Sequence, residues 1–303
     1  MLAVALVVIA ATAAGVVCEH RLAWAGRLAA GCLTAMLYVL APFVAYVNFA
    51  HLTLSLGGGI GLLIAYAGLG LAGWLAFLLG RRAGATGPTL GALIVSVILV
   101  NTGYLGYPTS VALLGAHALP HAVVYDQLIS GPMTFTVGFA VGAAFGDGPR
   151  TSWRRQAKRF LLRNPPLLAA IAGLLVPRSL APEALMDASH IVVDAMLGVG
   201  FVVVGIYLAS AREQDHASIL EAPDRLVAIG LGCRFLVNPV LLGLVSLAGV
   251  AVPSAYLLQA AMPSAINGLL VGHAYGLDQR RIATAIVWST LIVIAVGTVA
   301  SLR

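Results

Sequence analysis

Long apolar stretches alternate along the chain with short segments that carry charges, prolines and glycines. A helix needs about 20 mostly apolar residues to cross about 30 Å of hydrocarbon, so such stretches predict membrane spans. The approximate limits of ten spans are 2–18, 26–49, 57–80, 88–116, 120–145, 165–177, 188–210, 225–248, 253–275 and 281–301. The pattern therefore predicts an all-α integral membrane protein with ten transmembrane helices, of which the sixth is the shortest.

Composition agrees with this prediction, because 60% of the 303 residues are hydrophobic, 9% are charged, and the mean hydropathy is +0.99. These values exclude an ordinary water-soluble domain. The 17 Lys and Arg residues exceed the 11 Asp and Glu residues, but they lie in short loops and form no continuous basic face. We therefore expect a lipid bilayer as partner and no nucleic acid. The three cysteines lack CxxC spacing, so the sequence predicts no metal site, disulfide framework or cofactor.

The distribution of Lys and Arg predicts how the spans are oriented, because short cytoplasmic loops are enriched in basic residues. With the N-terminus outside, the inner loops hold fourteen of the seventeen basic residues. Arg178 and Arg303 then fall outside, and Arg234 falls within the eighth span. We expect a multi-pass protein of the plasma membrane, the inner membrane in a bacterium, with both termini extracytoplasmic.

The most basic loop divides the spans into two halves of five, and an odd number of spans per half gives the halves opposite orientations. The predicted units are residues 1–146 as the first five-helix repeat, 147–163 as a basic cytoplasmic loop and 164–303 as the second, inverted repeat. A weak internal sequence similarity supports the repeat, since residues 108–117 align with residues 263–273 when one residue is inserted. Each segment lies in the fourth helix of its half.

Helices four and nine each carry helix-breaking residues near the middle of the span. Helix four has Gly103, Gly106 and Pro108, and helix nine has Pro263 and Gly268. Proline removes a backbone donor and clashes with the preceding turn, while glycine lets the chain leave helical geometry. Paired interruptions in two inverted halves are the best sequence pointer to a transporter's binding site. The alternative is a pair of proline kinks without a ligand.

The direction of the two helices predicts the charge of the ligand. The half-helices that begin at Pro108 and Pro263 both start at the midplane, and proline favours the first position of a helix. Two helix N-termini, each worth about half a positive charge, would then face the same point and favour an anion. The residues expected at this substrate site are Asn101, Thr102, Tyr104, Tyr107, Pro108, Pro263, Ser264 and Asn267. Their amide, hydroxyl and phenol groups favour a carboxylate on a small organic body.

The same residues resemble the motifs of a known family, the auxin efflux carriers of the wider bile-acid and arsenite transporter group. The family's helix-four pattern Asn-Thr-x-x-x-Gly-x-Pro is matched by Asn101, Thr102, Gly106 and Pro108. Pro263, followed by Tyr275-Gly-Leu-Asp278, is similar to the family's ninth helix. The number and order of the helices extend this resemblance over nearly the whole chain.

The resemblance implies two inverted repeats that cross at helices four and nine, and export of carboxylate solutes. It implies a scaffold of helices 1, 2, 6 and 7 that forms a homodimer, and a transport unit of helices 3–5 and 8–10. The carboxylate-binding asparagine carries over to Asn101, and the crossing prolines carry over to Pro108 and Pro263. The plant members have a long hydrophilic central loop, whereas residues 146–163 alone separate the halves here. This difference is typical of a prokaryotic relative and argues against auxin as the physiological substrate.

Other polar residues within the spans are candidates for coupling or gating. An Asp inside a span costs about 2.5 to 3.5 kcal/mol unless it is paired or hydrated. Asp126 is therefore either a proton or sodium site or a structural carboxylate, while Asp194 is expected to face outward or to be paired. Neither is evidently placed at the helix breaks, which favours uncoupled efflux driven by the membrane potential. Asn48 is a candidate for facing the cavity from the scaffold side, and Arg234 is expected to snorkel toward the inner surface rather than to attract substrate.

Three other classes of protein are weighed against a carrier. An intramembrane enzyme is disfavoured because the chain has no HExxH pair and no recognisable pair of catalytic acids. His117 and His121 are spaced by four, but Pro120 between them argues against a helical metal site. A channel would use the same broken helices as a filter, and a receptor would bind the ligand without flux. An ion-coupled carboxylate symporter remains the main alternative to uncoupled efflux.

Overall fold

The computed structural model describes residues 2–52, 55–147, 165–215 and 222–302, and these parts of the chain are almost entirely helical. The helices are α1 Leu2–Arg21, α2 Ala25–Ala50, α3 Leu56–Arg82, α4 Gly87–Ile98, α5 Tyr107–Leu114, α6 Leu119–Tyr125, α7 Phe139–Phe145, α8 Pro165–Leu175, α9 Glu183–Asp215, α10 Arg225–Leu247, α11 Ser254–Ala260, α12 Asn267–Tyr275 and α13 Gln279–Ala300. Wider π-helical turns lie at Met36–Leu40 within α2, at Thr102–Gly106 before α5, and at Asp126–Ser130 and Met133–Gly138 between α6 and α7. The predicted basic loop, apart from Asp147, lies outside the described residues.

In the described parts of the chain, six helices are long and apolar enough to cross a membrane: α1, α2, α3, α9, α10 and α13. The prediction of an all-α, multi-pass membrane protein is therefore confirmed. The predicted fourth and ninth spans are each divided between two short helices, α4 and α5 in one case and α11 and α12 in the other. None of these four helices is long enough to cross a membrane alone, because 30 Å of hydrocarbon requires about 20 residues.

Two pairs of helices pack closely, α1 on α9 and α2 on α8. Glycines permit the first contact, because a methyl group added at Gly15 would lie 2.1 Å from the carbonyl oxygen of Val202. A methyl group at Gly205 would lie 2.1 Å from the carbonyl oxygen of Thr12. Small residues let membrane helices approach closely, and dispersion contacts along the backbone then hold the pair together.

The remaining helices surround the two broken spans. Helix α3 packs on α10, and α4 packs on α3 and α10. The core residues of α4 are buried on every face, from Leu90 to Ile98. Such burial all around the helix shows that α4 is enclosed by protein rather than by lipid, which is the condition for opening its backbone at Leu99.

Candidate functional site

The chain crosses itself where α4 and α11 end. Beyond Ile98, residues 99–101 leave the helix and pair with residues 263–265 through an antiparallel bridge between Val100 and Ser264. The amide of Asn101 donates to the carbonyl of Pro263 at 2.8 Å, and the amide of Ala265 donates to the carbonyl of Leu99 at 2.9 Å. These two bonds satisfy backbone groups that an interrupted helix leaves without intrahelical partners.

A cavity of about 250 Å³ lies beside this crossing. Its apolar wall includes Leu33 and Met36 of α2, Pro166 of α8 and Met196 of α9. Its polar wall consists of Asn101, Tyr104, Tyr107, Asp126, Gln127, Ser130, Thr134 and Asn267. No Lys, Arg or His among the described residues lines this space, so the hydrogen-bond donors of its wall are neutral side chains and helix ends.

Asn101 is the polar residue at the centre of the crossing, and its side chain is 3% exposed. Its Oδ1 accepts a hydrogen bond from the amide of Leu105 at 3.3 Å and so caps the turn that leads into α5. Its Nδ2 has no hydrogen-bond partner among the described residues. A buried amide donor without a partner costs about 1 to 3 kcal/mol, so this group is available to an acceptor that enters the cavity.

Two helix starts reach the cavity as well. The turn at Thr102–Gly106 leads into α5 and contributes Gly103 and Tyr104 to the wall, while α12 begins at Asn267. The first turn of any helix leaves backbone N–H groups without intrahelical acceptors and carries a partial positive charge. The cavity therefore combines one free amide donor with the positive ends of two helices.

Asp126 lies in the same wall, although it is 24 residues beyond Thr102 in the chain. The hydroxyl of Thr102 donates to its Oδ1, and its Oδ2 accepts from the Tyr107 hydroxyl at 2.7 Å and the Gln127 amide at 2.9 Å. The expectation that neither membrane acid lies at the helix breaks is therefore wrong for Asp126. The packing of the α6 end against the Thr102–Gly106 turn brings this carboxyl to the crossing.

Comparison with known proteins agrees with a transport role for the chain. A family described as membrane transport proteins matches residues 150–300. An uncharacterized transporter of Methanocaldococcus jannaschii is 28% identical over 237 residues, which cover 74% of this chain and 72% of that protein. The second half of the chain is therefore similar to a family of membrane transport proteins. An uncharacterized transporter of Methanothermobacter thermautotrophicus is 26% identical over 235 residues, or 73% of this chain and 70% of that protein.

Of the four helix-four residues that resemble the auxin efflux carrier pattern, one lines the cavity and three do not. Asn101 lines the cavity, whereas Thr102 is fully buried and bonds Asp126. Gly106 faces the side chain of Gln259, where an added methyl group would lie 2.1 Å from Oε1. Pro108 is buried in the first turn of α5 and does not line the cavity. The pattern thus combines one wall residue with residues that shape the break.

The residues predicted on helix nine divide in the same way. Asn267 lines the cavity, but Ser264 donates its hydroxyl to the carbonyl of Ser96 at 2.6 Å, away from the wall. The amide of Ser264 donates to Ser289 Oγ at 3.0 Å. Pro263 contributes its carbonyl to the crossing, and Gly268 packs against Ile282, whose Cγ2 would lie 3.1 Å from an added methyl group.

Three polar residues predicted outside the breaks lie away from the cavity. Asn48 is fully buried and donates to Ser189 Oγ and to the carbonyl of Val44, both at 2.9 Å, so it joins α2 to α9. Asp194 is exposed on α9. The expectation that Arg234 snorkels to the inner surface is wrong, because its side chain is 0% exposed and bonds carbonyl groups inside the protein.

Sequence reasoning missed the residues that follow Asp126 in the cavity wall. Gln127, Ser130 and Thr134 all line the space, and the hydroxyl of Ser130 has no hydrogen-bond partner among the described residues. Their spacing of three and four residues places them on one face of a helix. This polar stripe in an otherwise apolar span was a usable signal that the fifth predicted helix faces the site.

Proposed function

We propose that the protein is a secondary transporter of a small organic carboxylate, which it moves by alternating access at the crossing cavity. The observation that carries this proposal is the free Nδ2 of Asn101 beside two helix starts in a space of about 250 Å³. A carboxylate accepts hydrogen bonds from an amide and from helix N-termini, and its organic part fits among Met36, Met196 and Tyr104.

The architecture that we propose for this transporter is ten spans in two inverted five-helix repeats. If spans 1–5 and 6–10 are related by symmetry, a contact between spans 1 and 7 requires a matching contact between spans 6 and 2. The packing of α1 on α9 and of α8 on α2 supports this relation. We assign these four helices to a scaffold that dimerises, and α3–α7 and α10–α13 to the transport unit.

Electrostatic energy favours outward movement of the substrate. We propose that both termini lie outside the cell, as the distribution of basic residues indicates. With a negative cell interior, each anionic charge that moves outward gains about 2.3 kcal/mol per 100 mV. Efflux of a monoanion therefore needs no coupled ion, while uptake needs one.

The binding proposal is tested by a thermal-shift screen of purified protein against small monocarboxylates and dicarboxylates. The matched control for each acid is its neutral amide with the same carbon skeleton. We expect an acid to raise the unfolding temperature while its amide does not. Equal shifts for acids and amides, or no shift with any acid, would count against a carboxylate site.

A second candidate, coupling of the same transport to a proton or sodium ion, is favoured by the position of Asp126. A carboxylate substrate and an ionised Asp126 are like charges in one small cavity, and such a pair is disfavoured unless a cation joins it. The other titratable groups that face Asp126 are the phenols of Tyr104 and Tyr107, and neither supplies positive charge. A cation that binds with the substrate would remove the repulsion.

Proteoliposomes separate the two candidates. Uncoupled efflux requires that an imposed potential alone drive the anion toward the positive side, and that Asp126→Asn leave this flux largely intact. Coupling requires that flux depend on a sodium or proton gradient and that Asp126→Asn remove this dependence. Asn is the matched replacement because it keeps the size of Asp126 and its acceptor for Thr102.

A further inference from the structure

Arg234 is a buried cation beside the crossing. It lies within α10, it is the largest fully buried side chain among the described residues, and it does not line the cavity. In the described parts of the chain, the carboxylates in ion pairs are Asp224 and Asp278, and both pair with Arg281. A buried charge without a compensating partner is strongly destabilising, so the environment of Arg234 has to compensate its charge in another way.

The guanidinium group bonds the ends of both interrupted helices. Its Nη1 donates to the carbonyl of Val97, in the last turn of α4, at 3.4 Å. Its Nη2 donates to the carbonyl of Ala260, the last residue of α11, at 2.5 Å, and its Nε donates to the carbonyl of Met262 at 2.9 Å. One side chain therefore binds carbonyl groups that the two helix breaks leave without intrahelical donors.

Charge compensation follows from the helix dipoles. Each helix C-terminus carries about half a negative charge, so the ends of α4 and α11 together offset about one positive charge. The guanidinium of Arg234 neutralises these two negative ends. The helix starts at Thr102 and Asn267 then reach the cavity without a compensating negative helix end beside them.

We propose that Arg234 is a positioning residue that holds the two half-helix C-termini together, so that the crossing moves as one rigid unit and keeps its helix starts directed at the substrate. The residue acts through the backbone of the crossing and does not touch the substrate. Its loss should loosen the bridge between residues 99–101 and 263–265 before it loosens the rest of the fold.

The test is hydrogen–deuterium exchange on the full-length protein in detergent, with Arg234→Lys, Arg234→Gln and Arg234→Met. The amides of Asn101 and Ala265 report directly on the crossing because each donates across it. We expect exchange at these amides to accelerate about tenfold in the Gln and Met variants, as for a loss of about 1.4 kcal/mol, and less in the Lys variant. Peptides from α1 and α9 should exchange at the wild-type rate.

Asn238→Ala is the matched control, because Asn238 lies one turn further along α10, is equally buried and bonds the hydroxyl of Tyr125 at 3.0 Å. A general weakening of α10 would change exchange in this variant and in the Arg234 variants alike. Wild-type exchange at Asn101 and Ala265 in Arg234→Gln or Arg234→Met, or acceleration spread evenly over the chain, would overturn the proposal. If Arg234→Lys is the one variant that yields folded protein, wild-type exchange at Asn101 and Ala265 in that variant would also overturn the proposal.

A second measurement connects the crossing to the substrate and rests on the proposed function. Carboxylate affinity should fall at least about tenfold in Arg234→Gln, with an intermediate value in Arg234→Lys and no change in Asn238→Ala. If the wild-type protein binds no carboxylate, the proposed function fails, while the exchange experiment still tests the role of Arg234. If exchange accelerates but affinity is unchanged, Arg234 does not position the substrate site.

Discussion

Replacing Asn101 by Asp separates the two roles that the structure gives this side chain. The aspartate keeps an oxygen to accept from the amide of Leu105, so the cap of the turn before α5 is retained. It replaces the free Nδ2 by an acceptor and adds negative charge beside Asp126. Asn101→Ala removes both roles, and we expect it to lower the free energy of unfolding by about 1 kcal/mol through the lost cap.

The expected loss of affinity follows from one hydrogen bond, the one that Asn101 Nδ2 would donate to the substrate carboxylate. A hydrogen bond to a charged group is worth about 1.5 to 3 kcal/mol, and 1.4 kcal/mol corresponds to a factor of ten in affinity. We therefore expect Asn101→Asp to weaken carboxylate binding by at least about tenfold, and we expect its second buried carboxylate to lower the unfolding temperature of the folded variant. The assay is a thermal-shift titration with the best acid from the screen.

Ser55→Ala is the matched control for loss of a helix cap. Ser55 accepts from the amide of Gly58 at 3.0 Å at the start of α3, and it does not line the cavity. This variant should lose stability as Asn101→Ala does, but it should bind the acid with the wild-type Kd. Wild-type affinity in folded Asn101→Asp would refute the assignment of Nδ2 to the substrate.

Two further pairs of variants test the crossing and the helix packing. Pro108→Ala and Pro263→Ala should leave expression intact but reduce flux, because the added N–H group favours a continuous helix. Wild-type transport rates in both variants would show that the helix breaks are not needed for transport. Gly205→Ala should destabilise the protein by about 1 to 3 kcal/mol, since its methyl group would lie 2.1 Å from the Thr12 carbonyl. Gly198→Ala on the same helix has no described atom within 4 Å and should be neutral; equal thermal stability of the two variants would contradict this account of the packing.

The long spans were the part of the fold that hydropathy predicted best. Predicted spans 57–80 and 225–248 correspond to Leu56–Arg82 and Arg225–Leu247, because each is a continuous apolar run bounded by charged or turn-forming residues. The predicted span 120–145 is apolar apart from a few polar residues, but in the structure two π-helical turns separate α6 from α7. Hydropathy does not distinguish helix types, since both bury the same apolar residues.

The position of Asp126 could not be predicted from the sequence. Its partners Thr102 and Tyr107 lie in the preceding span, and no local spacing relates them to it. Their contact depends on how α6 packs against the Thr102–Gly106 turn, which is a tertiary feature. The sequence identified the residues of the helix break but not the carboxyl that joins them.

Arg234 shows how a general rule failed at a particular site. Long basic side chains in a span usually extend to the membrane surface, because water is the best partner available. Here the two interrupted helices supply carbonyl groups at Val97, Ala260 and Met262, and these acceptors come together only once the breaks have paired. The partners of Arg234 therefore come from two distant segments that sequence reasoning did not join.

The central claim, a carrier that binds a carboxylate at the crossing, is tested most directly by counterflow in proteoliposomes. Vesicles loaded with an excess of unlabelled acid should accumulate the labelled acid transiently, with saturation at high external concentration. Asn101→Asp should strongly reduce this accumulation at external concentrations near the wild-type Kd, where a tenfold loss of affinity leaves the site mostly empty. Wild-type protein that passes the acid without trans-stimulation or saturation would indicate a channel, and equal counterflow in Asn101→Asp would contradict a substrate site at the crossing.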